Sequence, residues 1–134
     1  MRQSPIRAVF VTNADVDHLA GLLTLREQQS FVLFGSKATL AQASGGVFRV
    51  LNRDLVQLRE AAFDEPVETG LGLTVTAFAV PGKVPLYLEG EAVEIGAESE
   101  STAGLEIGDG RAAFFYVPGC AKINETLAKR LKGA

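Results

Sequence analysis

Apolar residues crowd this chain in short blocks, and the spacing inside each block decides whether a strand or a helix is expected. Ile6 to Thr12 is β-branched and apolar on both faces, which reads as a strand buried on two sides of a sheet. A polar loop follows directly. From Asp17 onward Leu19, Leu22, Leu23 and Arg26 fall at helical spacing, and Asp17 stands where a carboxylate caps a first turn. Phe31 to Phe34 reads as a second buried strand, after which Gly35 and Ser36 open a short helix over Lys37 to Ser44. Strand and helix alternate, so the α/β class is expected.

Beyond Gly45 and Gly46, the apolar positions Val47, Val50, Leu51, Leu55, Leu58 and Ala62 lie closer to a period of 3.6 than of 2, which predicts an irregular start and then a helix. Val67 to Thr69, a glycine turn, and the alternation of Leu73, Val75 and Ala77 with Thr74, Thr76 and Phe78 predict a strand pair, and Lys83 to Glu89 continues extended. Residues 89–102, with five glutamates and the breakers Gly90 and Gly96, are expected to form a mobile acidic loop. Leu105 and Ile107, the turn pair Asp109 and Gly110, and Ala112 to Val117 read as a hairpin. A last helix runs from Asn124 as cap to Lys132, with Gly133 as its stop. No internal repeat is visible, and residues 1–134 are read as one domain.

Composition narrows the classes. Hydrophobic residues make up 47% and charged residues 22%, which excludes a disordered chain. A net charge of -3 and the lack of any basic run argue against nucleic acid as a partner. Apolar stretches such as Phe31 to Phe34 and Ala112 to Val117 fall far short of the roughly 20 residues needed to cross a bilayer, so no membrane partner is expected. The run Ala8 to Val11 is cut by Asn13 and Asp15 and fits no signal-peptide core. With Cys120 as the single cysteine there is no internal disulfide, and a reducing, cytoplasmic setting is expected.

Candidate chemistry gathers in the polar loop Thr12, Asn13, Ala14, Asp15, Val16, Asp17, His18, with Gly21 beyond it. Carboxylates, an amide and an imidazole alternate where a buried strand gives way to a helix, the usual crevice for ligands in α/β layers. Two readings stand side by side: Asp17 caps the helix and His18 rests against a carbonyl, or both face one cation.

The loop resembles the metallo-β-lactamase superfamily, whose mark at this place is His, any, His, any, Asp, His, then a glycine on the helix. Asn13 and Asp15 stand where that mark has its first two histidines, while Asp17, His18 and Gly21 keep their places. With Val80-Pro81-Gly82-Lys83-Val84-Pro85-Leu86-Tyr87-Leu88-Glu89 and Tyr116-Val117-Pro118-Gly119-Cys120-Ala121, the whole chain resembles the pyrroloquinoline quinone (PQQ) biosynthesis B branch of that superfamily. The resemblance implies part of an αββα sandwich, a mixed β-sheet flanked by helices. It implies a non-haem iron oxygenase that hydroxylates the tyrosine ring of a cross-linked Glu-Tyr precursor, so the partner molecule is a tyrosine-derived PQQ precursor. Asp17 and His18 would be metal ligands and catalytic residues, with Asp15 as an auxiliary polar group.

The implied Fe(II) site takes two histidines and one carboxylate, and zinc is the alternative ion. This chain has one histidine, so the third ligand would come from elsewhere. Lys83 stands where many members place a further histidine, and Cys120 near a bridging aspartate; as residues, they read as a surface lysine and a buried small apolar group. The resemblance further implies a protein more than twice this length, so the chain is expected to be an inactive central piece. Its two-faced apolar strands would then lack cover, and a homodimer is expected to supply it. A second function is a binding or carrier module of the PQQ pathway, without catalysis. A third, metal-dependent hydrolysis, is disfavoured because Asn13 and Asp15 replace imidazoles.

Overall fold

A computed structural model describes residues 5–26, 29–82, 97–120 and 122–132. The chain builds two sheets. β1 (Ala8–Phe10), β2 (Phe31–Gly35) and β3 (Val56–Glu60) form a parallel sheet in that order, with Val9 opposite Leu33 and Leu33 opposite Leu58. β4 (Pro66–Glu68), β5 (Thr74–Gly82), β6 (Ala97–Gly108) and β7 (Ala113–Tyr116) form an antiparallel sheet in sequence order. Parallel neighbours need a crossover, and α1 (Val16–Leu19) and α2 (Lys37–Ala43) lie in the two crossovers of the first sheet. Ser36 caps α2 by accepting the Thr39 N–H at 3.2 Å, where the sequence predicts the helix to open.

Layering follows from alternation along β2. Phe31 and Leu33 join Leu19, Leu22, Leu40 and Ala43 in one core, under the helices. Phe34 points the other way and stacks on Phe10, with ring centroids 4.5 Å apart. Phe10 in turn packs against Val75, Ala77 and Leu105 of the second sheet. α3 (Glu125–Leu131) covers the far side of that sheet, where Leu127 meets Phe78 and Val80. Its cap is Asn124, whose side chain accepts the Leu127 N–H at 2.8 Å. Helices, sheet, sheet, helix is the αββα order, and it explains why the strands are apolar on both faces.

The β6–β7 turn bears out the hairpin reading. Asp109 accepts the N–H groups of Arg111 and Ala112 at 2.9 and 3.0 Å, and Gly110 takes a φ of 90° that side chains rarely adopt. These two N–H groups, Ala112 first, hold the Asp109 carboxyl below its ordinary pKa.

Three expectations are corrected. Val47 to Ala62 is not helical: Gly46–Val50 is a 3-10 turn and Val56–Glu60 is β3. In β3 only Val56 is fully buried and Leu58 half-buried, so period 2 shows in two residues and is easily lost. Asp17 is not the cap of α1; Asp15 holds the N-cap position with extended backbone, and Asp17 sits in the first turn. Within the expected loop 89–102, residues 97–102 belong to β6, where Glu98 pairs with Pro81 and Ala103 with Ala79. A backbone ladder orders a segment that composition alone assigns to solvent. Residues 83–96, including Lys83, and the stop at Gly133 lie outside the described residues.

Candidate metal centre

The polar loop begins where β1 ends. Val11 donates its N–H to Phe34 O at 3.0 Å, Thr12 O accepts the Ala103 N–H at 2.8 Å, and Asn13 bridges to Thr102. Both sheets therefore grip the start of the loop. The Asn13 side chain then turns forward, its Oδ1 accepting the Asp15 N–H at 3.0 Å. Asp15 O accepts the N–H groups of His18 and Leu19, which closes the first turn of α1. Leu19 and Leu22 anchor that turn in the first core, leaving Asp15 half-buried and the His18 and Asp17 side chains 26% and 83% exposed.

Asp15, Asp17 and His18 each bring one ligand atom to within 4.8 Å of the others, and His18 Nε2 lies 4.0 Å from Asp17 Oδ2. The expected closeness of Asp17 and His18 is observed. Asp15, read from sequence as an auxiliary group, reaches the same point. The assembled donors are thus one imidazole and two carboxylates, not the two histidines and one carboxylate that the resemblance implied. Two like charges this close repel, and a cation would relieve them. Zinc and similar ions hold such ligands at about 2.0–2.2 Å, which spaces two donors on one ion about 3–4 Å apart. Small side-chain rotations therefore suffice, and the set fits a divalent ion.

Cys120 is a correction: its thiol group is exposed and not a buried apolar filler. The tail of β7 explains this, because Pro118 to Cys120 leaves the sheet and passes the loop, so that a Cβ on Gly119 would stand 3.9 Å from Asn13 Nδ2. Gly21 is exposed, and among the described residues nothing stands within 4 Å of a Cβ placed there. Sequence reasoning placed the Asn13 amide in the crevice and at the position of a lost histidine, without a partner for it. Its Asx turn onto Asp15, two residues on, is a signal that spacing could have given.

A β-lactamase superfamily domain matches residues 1–134, and the chain belongs to that superfamily. Within it, the chain is similar to proteins described as coenzyme PQQ synthesis protein B. It is 51% identical over 134 residues to the one from Methylorubrum populi and 52% identical over 134 residues to that of Methylobacterium nodulans, each covering 99% of this chain and 45% of the relative. The protein from Ruegeria pomeroyi is 45% identical over 135 residues, covering 100% of this chain and 46% of that one. Among solved structures, Zn(2+)-bound PqqB from Methylobacterium extorquens matches with a TM-score of 0.92 at 50% identity, covering 97% of this chain and 44% of that chain. The chain spans somewhat less than half the length of the relatives it matches.

Proposed function

We propose that this chain serves synthesis of the PQQ cofactor and holds a divalent metal ion through Asp15, Asp17 and His18. The observation that carries this is the convergence of three ligand atoms within 4.8 Å at the carboxyl end of β1. Similarity to PQQ synthesis proteins B supports the pathway, and the zinc of the M. extorquens protein supports the ion. Oxygen donors with one imidazole suit several divalent ions, zinc among them. When bound, such an ion supplies Lewis acidity and open positions for a ligand. Asp15 and Asp17 offset its charge, and the grip of both sheets on Thr12 and Asn13 keeps the donors from drifting apart.

The finer reading is hydroxylation of the tyrosine ring of a cross-linked Glu-Tyr precursor with Fe(II) and oxygen. One histidine cannot complete a two-histidine iron set. Alone, then, the chain takes up zinc, binds Fe(II) weakly and oxidises nothing. Dialysis against Zn(2+) or, without air, Fe(II), followed by metal analysis and oxygen uptake with the tyrosine-derived precursor, tests this. One zinc per chain, lost in His18→Ala and reduced in Asp15→Asn, is expected. Zinc uptake indifferent to both substitutions would overturn the site, and stoichiometric Fe(II) with oxygen uptake would overturn the inactive reading. A reducing, cytoplasmic setting completes the proposal, supported by the free thiol of Cys120.

We also propose a homodimer. The strands expected to lack cover are covered within the chain, so the proposal rests on β7. Phe114 and Tyr116 are 58% and 50% exposed, and among the described residues β7 is an edge strand of the second sheet, open to a second strand.

A further inference from the structure

We infer that Asn13 is a working member of the metal centre through both ends of its side-chain amide: Oδ1 holds Asp15 in place, and Nδ2 donates to a carboxylate-type oxygen of a ligand bound at the ion. The inference rests on the metal reading above and deepens it. Asn13 is 5% exposed, and its Oδ1 takes the Asp15 N–H at 3.0 Å, which fixes the amide plane beside the first donor. Backbone links from Asn13 to Thr102 and from Thr12 to Ala103 stop the loop from sliding along β6.

The nitrogen end differs. Among the described residues nothing accepts a hydrogen bond from Nδ2, yet no buried side-chain nitrogen or oxygen lacks a partner. Nδ2 therefore keeps contact with solvent although the residue that carries it is buried. Its neighbour is Gly119, where a Cβ would stand 3.9 Å away in ordinary contact. This is an unspent donor on a buried residue whose other amide end is fixed on Asp15, one of the three grouped ligand residues. Beside a bound cation it selects a ligand oxygen that carries negative charge, because a charged acceptor roughly doubles the strength of such a bond. A preset amide also spends no entropy on orientation when the ligand arrives.

Acetate is the probe. The 15N-labelled full chain, with and without Zn(2+), is titrated with sodium acetate at constant ionic strength while the Asn13 side-chain NH2 resonances are followed. A saturable shift that needs zinc is expected. Asn13→Asp keeps an acceptor for the Asp15 N–H but loses the donor. It should bind acetate about tenfold more weakly, and acetate binding equal to that of wild type would overturn this inference. Asn13→Ala loses both ends and should weaken zinc by about two- to tenfold, the usual worth of one such hydrogen bond. If the Ala variant does not fold, the wild-type titration and the Asp variant still decide. No zinc uptake by the wild type overturns the metal reading and this inference together. Zinc uptake with an Asn13 amide that acetate does not move, or an unchanged zinc affinity in a folded Ala variant, overturns this inference alone.

Discussion

Gly104 on β6 faces Phe78 on β5, its register partner, and leaves room for the Phe78 ring. In Gly104→Ala the new Cβ would stand 2.6 Å from both Cε2 and Cζ of Phe78 and 3.2 Å from Val80 Cγ1. Carbon atoms in contact settle at about 3.5–4.0 Å, so the ring must retreat by about 1 Å. It has little room to do so: Phe78 is 2% exposed, Arg130 lies 4.4 Å above its centroid, Phe115 meets it edge-on, and Leu127 closes the cluster. Overpacking of a rigid core costs about 1–3 kcal/mol, and a ring boxed in on these sides places the cost at about 2–3 kcal/mol. For a chain of this length that is about 7–11 °C in Tm. Thermal unfolding followed by circular dichroism would compare wild type, Gly104→Ala, Phe78→Leu and the double variant. In the Phe78→Leu background the alanine should cost less than half as much, because the smaller side chain yields the space. A loss under about 2 °C in the single variant, or the same loss in both backgrounds, would refute the steric argument.

Ser36→Ala removes the cap of α2 and should cost about 1 kcal/mol in urea unfolding with an unchanged m-value; no shift in midpoint would count against the cap. The Asp109 carboxyl has its pKa lowered from 3.8 by N–H groups that only the folded turn presents, so its contribution to the hairpin is full above that value and is lost as pH falls through the lower, folded one. The Arg111 and Ala112 amide resonances should therefore titrate with a midpoint below 3.8, and this titration should vanish in Asp109→Asn. Sedimentation should give a dimer at micromolar concentration that Phe114→Lys converts to monomer, burying at least about 1,200 Å² in total; a stable wild-type monomer would remove the dimer from the proposal.

Much of this architecture is local and therefore legible. β2, α2, the β4–β5 pair, the β6–β7 hairpin and α3 all announce themselves through residues that act on near neighbours: Ser36 on Thr39, Asp109 on Ala112, Asn124 on Leu127. The superfamily, too, was readable from a six-residue loop, and the match over residues 1–134 bears it out. Where the reading failed, the deciding partner was remote. β3 is a strand because β2 lies beside it, with only two residues of period 2 to announce it, and Ala97 and Glu98 are in a strand because β5 pairs with them, which their own segment does not signal.

The same division runs through the candidate site. Spacing alone set Asp17 and His18 side by side, since adjacent residues at a strand-to-helix turn are near each other in any fold. That Asp15 joins them, that Asn13 spends one end of its amide on Asp15, and that Gly119 passes this amide from more than a hundred residues away depend on where two sheets clamp the loop. Sequence determines which groups are available, because chemistry belongs to the side chain. Tertiary structure alone decides which of them share a few ångström of space, because that proximity is created by strands that meet across the chain and not along it.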